Sequence, residues 1–423
     1  MSSTSSQTIF RFSETEPTPL LKDFETFCRY LEQNTFAMGK ATGRLPYKPL
    51  FQLNAMMTRP QLETTTHSAQ EYYPLLHLFY HLALAGKLFR VVAHKKSQTR
   101  MAATERLAAY RELTDAEKYF FLLETLWLDC SFQNLNGNRV LIPVAESVQL
   151  FLETICRLKP GEQFLCSRER GFQLNVSFLS APVFLGFSFF GWYELVRDEA
   201  EYQYRKVKQN FPIAAVIPSH VGTTLGKKLL RERPLPDWNL PHLRTEGFLP
   251  SMPEIQAIAA SNLVELFRPY CAENELHRSL PRELGKKTSG NFIFKASARP
   301  KVWRVLALSS KNTLHDLHEL IQEAFEFDDD HLYAFYMDNK RYSNERFESP
   351  LGSEGPFADE IEIGELELKK GQLFLYLFDF GDQWEFTVQL LEIKTEEKLL
   401  KQPKVLETHG EAPEQYQNVE TDW

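Results

Sequence analysis

The sequence lacks the motifs of the common nucleotide-dependent and nucleophilic enzymes. No G-x-G-x-x-G run, P-loop or G-x-S-x-G turn occurs in its 423 residues, so the usual phosphate cradles and serine nucleophile are missing. The triplet Asp379-Phe380-Gly381 resembles the magnesium-binding motif of protein kinases, but neither a glycine-rich loop nor an H-R-D motif accompanies it. A kinase needs all three parts, so the triplet by itself does not predict phosphoryl transfer.

Cysteines and long apolar runs are also scarce. The cysteines number five, are scattered and form no C-x-x-C pair, which disfavours a zinc site or a disulfide framework and favours reduced thiols. No run of 18 apolar residues occurs, so no transmembrane helix is expected. The start "MSSTSSQTIF" lacks a basic stretch followed by an apolar core, so we expect no signal peptide and a cytoplasmic, bacterial protein without membrane partners.

Charge is unevenly distributed along the chain. The net charge is −8, yet residues 291–423 alone carry 14 Lys and Arg against 27 Asp and Glu. Residues 1–290 therefore carry a net charge of +5, and the last third carries −13. Because an acidic domain repels a phosphate backbone, any contact with nucleic acid is expected through residues 1–290.

The N-terminal part is predicted to be mostly helical. We expect a disordered tail over residues 1–19 and a mostly helical region over residues 20–232. Its clearest signal is "LTDAEKYFFLLETLWLDC", in which Thr114 is followed three residues later by Glu117, a capping box. Residues 233–290 are expected to form a linker and a helical segment, because prolines and polar residues interrupt the apolar pattern there.

Two stretches within this helical region are similar to winged-helix units. In residues 189–230, apolar and polar residues alternate on both sides of a polar tip and a short helix follows; a fainter version, a helix with a possible strand, occurs in residues 82–107. Basic residues flank both predicted wings, and they are the candidate nucleic-acid contacts: Lys95, Lys96, Lys227, Lys228 and Arg231. The alternatives are helical hairpins capped by a small sheet and ordinary solvated basic faces.

Residues 291–423 predict a separate α+β domain. Strands are expected in "NFIFKASA", "KVWRVLALS", "HLYAFYMDN", "GQLFLYLFD" and "QWEFTVQLLEI", with one helix that begins at Thr313 and has Asp316 three residues later. This order of a hairpin, a helix and later strands is similar to the β-grasp arrangement. The whole chain is therefore predicted to be α+β.

The same region resembles a known family. The stretches "RPKVWRVLAL", "TLHDLHELIQEAFEFDDDHLYAFYM", "LYLFDFGDQWEFTVQLLEI" and "PKVLETHGEAPEQY" follow one another in the order seen in the plasmid pRiA4b ORF-3-like family. The resemblance covers about residues 291–420 and implies a protein of a family often found near mobile elements. It carries no assigned biochemical activity, so it bears on the fold more than on the function.

The turn "DFGDQ" and the run of acidic residues before the third strand suggest the main candidate site. Asp330, His331, Asp379 and Asp382 are the residues that would bind a hard divalent cation or another ligand. The alternative is a solvated acidic loop and a structural turn, in which Gly381 supplies a positive φ and the aspartates bond the turn amides. Trp303 and Trp384 are expected to be largely buried.

Taken together, the sequence favours a non-catalytic binding or adaptor protein. An unidentified protein is the favoured partner, and nucleic acid is the second, through residues 1–290. No cofactor is expected. The alternative is a metal-dependent hydrolase that uses the acidic cluster of the C-terminal domain.

Overall fold

A computed structural model describes residues 8–39, 43–95, 98–136, 144–166, 181–200, 213–245, 248, 252–282, 287–343, 345–352 and 356–416. The chain is α+β, as predicted. It divides into two compact units: the first comprises residues 1–242 and 261–281, and the second comprises residues 243–260 and 282–423. No helix in the described ranges is long and apolar enough to span a membrane.

Among the described residues before the C-terminal sheet, most of the regular secondary structure is short helices. They are α1 Leu20–Gln33, α2 Tyr47–Ala55, α3 Pro74–Ala85, α4 Glu105–Arg111, α5 Asp115–Glu124, α6 Phe132–Leu135, α7 Val144–Arg157, α8 Ala181–Phe189, α9 His220–Glu232, α10 Leu235–Trp238, α11 Leu240–Thr245, α12 Pro253–Ala260 and α13 Val264–Phe267. The predicted capping box of α5 is confirmed, because the Thr114 side chain accepts from the Glu117 N–H and the Glu117 carboxylate accepts from the Thr114 N–H.

The first unit holds two small sheets with matching order. Strands β1 Met38–Gly39, β2 Phe89–Lys95 and β3 Gln98–Ala103 form an antiparallel sheet in the order β1-β3-β2. Strands β4 Phe164–Leu165, β5 Tyr193–Arg197 and β6 Ile213–Pro218 form the second sheet in the order β4-β6-β5. In each case a helix precedes the short strand and another helix precedes the hairpin. The winged-helix assignment stays a prediction, and most of the second hairpin's tip lies outside the described residues.

Helices α3 and α8, which lead into the two hairpins, are apolar and pack against each other. The side chains of Leu78 and Phe79 on α3 and of Phe184 and Phe187 on α8 are fully buried. A Cβ at Gly186 on α8 would lie 3.6 Å from Leu78 Cδ1, an ordinary packing distance. Both helices are mostly apolar because most of their residues lie in the core.

Two expectations about the first unit's boundaries need correction. Residues 8–19 are not a disordered tail, because Phe10 and Phe12 are buried and the Phe10 N–H donates to the Tyr270 carbonyl at 2.8 Å. The segment 233–290 is also divided between the units, and residues 261–281 belong to the first. Two buried carboxylates anchor this segment: Glu124 accepts from the Leu263 N–H, and Glu117 accepts from the Arg278 N–H.

The second unit is built on one seven-stranded sheet in the order β10-β9-β11-β12-β7-β8-β13. Its strands and helix are β7 Asn291–Arg299, β8 Val302–Ser309, α14 Leu314–Phe325, β9 Tyr333–Tyr336, β10 Arg346–Glu348, β11 Leu373–Phe378, β12 Trp384–Lys394 and β13 Lys404–His409. All six pairings of neighbouring strands are antiparallel. The β-grasp arrangement is therefore not confirmed.

Helix α14 covers one face of this sheet. Its apolar residues Leu314, Leu317 and Ile321 join Phe294, Tyr376 and other strand residues in one buried cluster. The predicted capping box between Thr313 and Asp316 begins the helix. At its other end the buried Arg304 of β8 donates to the Ala324 carbonyl at 2.7 Å and to the carbonyls of Trp303, His409 and Gly410. A cation among these carbonyls stabilises the helix C-terminus.

Candidate functional site

The candidate site surrounds the turn that connects β11 and β12. Asp379 ends β11 in the left-handed region, with a φ of 55°. Its Oδ1 accepts from the Gly381 N–H at 2.8 Å and from the Asp382 N–H at 3.3 Å. The aspartate thus closes the turn through its own backbone amides, as expected for this residue type.

The expectation of a positive φ at Gly381 is wrong. The left-handed residues of this turn are Asp379 and Gln383, with φ of 55° and 56°. Aspartate tolerates this region because its short carboxylate bonds to nearby amides, so the glycine is not needed for backbone freedom. A Cβ at Gly381 would instead lie 3.1 Å from Asp379 Oδ1, so the small residue leaves room for the carboxylate.

The turn meets the loop between α14 and β9, and three of the four predicted ligands converge there. His331 Nε2 lies 3.4 Å from Asp379 Oδ2 and 3.5 Å from Asp330 Oδ1. Asp382 contributes its backbone N–H to the turn. The loop is fixed to the turn because the Asp379 N–H donates to the Leu332 carbonyl at 3.0 Å.

The C-terminal segment also binds this loop. Gln415 exchanges two hydrogen bonds with the Asp328 backbone, accepting from its N–H at 2.6 Å and donating to its carbonyl at 3.0 Å. The Tyr416 hydroxyl donates to Asp330 Oδ2 at 2.8 Å, and this hydrogen bond raises the pKa of Tyr416 to about 12. Sequence reasoning missed both residues, because nothing in their local pattern indicates a partner 86 or 87 residues away.

Two carboxylate oxygens of this site are engaged by donors of the protein itself. Asp379 Oδ1 and Asp330 Oδ2 already accept hydrogen bonds from the protein. Within the described ranges, no set of three or more His, Cys, Asp and Glu side chains is placed to hold a metal. The His331 contacts are those of an imidazole between two carboxylates.

A second polar cluster lies beside the first, under helix α14. His318 is fully buried, with Nε2 2.9 Å from Asp329 Oδ1 and Nδ1 2.6 Å from the Tyr376 hydroxyl. Gln322 Nε2 donates to the same hydroxyl at 2.5 Å. The ring of Tyr333 stacks on His318, with centroids 3.7 Å apart, and its hydroxyl lies 2.7 Å from His315 Nδ1.

These contacts determine where the protons of His318 lie. A carboxylate accepts, so His318 Nε2 carries the proton and donates to Asp329. His318 Nδ1 then accepts from the Tyr376 hydroxyl, whose oxygen accepts from Gln322. Burial lowers the pKa of His318 to about 4 and raises that of Tyr376. The chain of hydrogen bonds thus holds a neutral imidazole that is closed to solvent.

Both predicted structural tryptophans are partly buried and pack against clusters of buried residues. Trp384 packs on the helix-covered core and meets Phe327 edge to face at 4.9 Å. Trp303 lies on the opposite face of the sheet, stacked on His409 with centroids 4.9 Å apart. Each lies near one end of its strand, where fewer neighbours cover the indole.

The candidate basic contacts of the first unit lie in two separate parts of the chain. Lys227, Lys228 and Arg231 lie on α9, which follows the second hairpin and is not part of it. Lys228 and Arg231 both pair with Glu232, at 3.5 Å and 2.9 Å. Lys95 ends β2, and its side chain lies outside the described residues, as does all of Lys96.

Among protein-family models, the match to this sequence lies in the C-terminal part of the chain. Residues 295–418 match the sequence model of the plasmid pRiA4b ORF-3-like protein family. The C-terminal domain matches this family. A crystal structure of a protein of unknown function from Methanosarcina mazei Go1 is 26% identical over 30% of this chain and 72% of its own, with a TM-score of 0.24. No curated protein matches the chain.

Proposed function

We propose that this chain is a non-catalytic binding protein that acts as an adaptor. The observation that carries the proposal is that the protein's own groups engage the polar side chains of the candidate site. Asp379 is bonded by turn amides, Asp330 by Tyr416, and both nitrogens of His318 by Asp329 and Tyr376. A general base needs access to a substrate proton, and a fully buried, doubly bonded imidazole has none.

The first unit supports a protein partner better than duplex DNA. Helix-turn-helix proteins read DNA by placing one helix in the major groove, which requires that helix to be exposed and polar. The two helices that precede the hairpins, α3 and α8, pack on each other and are apolar. Two of the candidate basic residues, Lys228 and Arg231, are paired with Glu232, which weakens their contacts with phosphates.

A fluorescence-anisotropy titration of the full chain with labelled duplex DNA at low and moderate salt tests this part. We expect no saturable binding at moderate salt. Tight binding with a steep salt dependence, lost on charge reversal of Lys227, Lys228 and Arg231, would favour a nucleic-acid function instead.

The alternative, a metal-dependent hydrolase, is favoured by one observation: His331 Nε2 lies within 3.5 Å of a carboxylate oxygen of both Asp330 and Asp379. Calorimetric titration with Mg²⁺, Mn²⁺ and Ca²⁺ distinguishes the two functions. The adaptor proposal expects no heat of specific binding. Saturable binding that is lost in Asp379→Asn, a variant that preserves the turn's hydrogen-bond acceptor, would support the hydrolase.

A further inference from the structure

Helix α2 of the first unit presents an uncovered face. Its residues Leu50, Leu53 and Asn54 point into the unit. The opposite side exposes Tyr47, Phe51 and, just beyond the helix, Met56, which are 52%, 37% and 54% exposed. Tyr47, Phe51 and Ala55 follow one another at four-residue spacing, so they form one apolar stripe.

Two cations border this stripe. Lys48 lies beside it on the helix, and Arg59 lies in the loop that follows; both are exposed. Neither side chain makes an ion pair or hydrogen bond with another residue of the described ranges. We call Tyr47, Lys48, Phe51, Ala55, Met56 and Arg59 the α2 face.

The loop part of this face is held rigidly. The Asn54 side chain accepts from the Gln61 N–H at 2.8 Å and donates to the Gln61 carbonyl at 2.9 Å. The buried Asp23 accepts from both the N–H and the hydroxyl of Thr58, at 2.9 Å and 2.7 Å. Arg59 is therefore carried on a fixed backbone, which lowers the entropy lost when a partner binds.

Resting on the proposed adaptor function, we propose that the α2 face binds an acidic amphipathic helix of a partner protein. The apolar stripe can pack against the apolar face of such a helix, because the side-chain ridges of one helix fit the grooves of another. The unpaired cations Lys48 and Arg59 complement carboxylates that flank the ridge.

Other occupants fit this face less well. A second copy of the chain would bring Lys48 and Arg59 of both copies together across a two-fold axis, which repels. Duplex DNA would contact the cations but would leave Tyr47, Phe51 and Met56 without a partner, because phosphates offer no apolar surface.

Fluorescence anisotropy with the full chain provides the test. The probe is a fluorescein-labelled synthetic helix of Leu and Glu with one apolar face, compared with the same helix built from Leu and Lys. We expect saturable binding of the Leu/Glu helix, weakened by salt, and none of the Leu/Lys helix. Phe51→Ala should weaken binding about tenfold, the size of one apolar anchor, and Lys48→Glu should weaken it and reduce its salt dependence.

A matched control is Leu351→Ala, which removes an exposed apolar side chain of the second unit (86% exposed) and should leave binding unchanged. Lys48→Glu and Leu351→Ala should melt like the parent, because both side chains are exposed, and the melting curve of Phe51→Ala must show that this variant is folded at the temperature of the binding assay. The inference fails if the Leu/Glu helix does not bind, if Phe51→Ala binds it equally well, or if duplex DNA displaces it. A dimer that dissociates on Phe51→Ala would also overturn it, in favour of a second copy. These outcomes are separate from the metal titration, whose result bears on the adaptor function alone.

Discussion

Two glycines of α9 permit its close approach to the rest of the first unit. A Cβ at Gly222 would lie 2.0 Å from the Trp192 carbonyl oxygen, and a Cβ at Gly226 would lie 2.4 Å from Cys156 Sγ. The atom that blocks a Cβ at Gly222 belongs to the backbone, whereas the atom that blocks a Cβ at Gly226 belongs to a side chain. Gly222→Ala therefore forces α9 away from the β5 strand start, whereas Gly226→Ala can be accommodated in part by a rotation of the thiol.

Two opposing effects determine how much Gly222→Ala changes the free energy of unfolding. Replacing glycine by alanine in a helix gains about 1 kcal/mol of helix propensity. Overpacking a core costs about 1–3 kcal/mol, and a backbone obstacle belongs at the upper end of this range or above it. We therefore expect Gly222→Ala to lower the free energy of unfolding of the first unit by about 2 kcal/mol or more, given both terms.

Gly186 provides the matched comparison. Its added Cβ would meet only Leu78 Cδ1 at 3.6 Å and more distant atoms, so Gly186→Ala should be neutral or stabilising. Scanning calorimetry of the three full-length variants gives the test, since about 2 kcal/mol corresponds to roughly 4–8 °C in the first unit's melting temperature. Equal melting temperatures for Gly222→Ala and Gly186→Ala would refute the close-packing argument.

Other predictions concern the second unit. His318 has a folded-state pKa of about 4 against 6.5 in the unfolded chain, so the unfolded chain takes up the proton first as the pH falls. Stability should therefore drop by up to about 3 kcal/mol between roughly pH 6.5 and pH 4, and urea titrations of His318→Gln should lack this part of the slope. Tyr376→Phe leaves His318 and Gln322 with unpaired buried atoms and should cost about 1–3 kcal/mol, measured at neutral pH; an unchanged urea midpoint would contradict the network. Arg304→Met removes the donor to four carbonyls and should cost roughly 3 kcal/mol, and Arg304→Lys should recover only part of it, because lysine lacks the planar fork. Asp379→Ala should lower the melting temperature more than Asp379→Asn, since asparagine keeps both the acceptor and the tolerance for positive φ; equal losses would contradict the role of the side chain in the turn.

Local signals in the sequence determined several elements correctly. Thr114 with Glu117 and Thr313 with Asp316 predicted two helix starts, and both capping boxes are present. The apolar run before the turn at Asp379 and the alternation of apolar and polar residues after it predicted the β11–β12 hairpin. These features depend on interactions within a few residues, so the sequence pattern contains all the information they need.

Other features of the fold depend on contacts between residues that are far apart in the sequence. The three-residue spacing of His315 and His318 places them on one face of α14, but only the folded chain brings His318 between Asp329 and Tyr376. Residues 261–281 read as part of a linker, yet they pack with the first unit because Glu117 and Glu124 bind their backbone.

The candidate site also depends on both local sequence patterns and long-range contacts. The sequence identified Asp330, His331 and Asp379 as a group, because each borders a strand end in the predicted sheet. It did not show that Tyr416 bonds Asp330 or that turn amides bond Asp379. Whether a carboxylate is free for a ligand depends on which donors the tertiary fold brings to it, and these donors come from segments without a common sequence pattern.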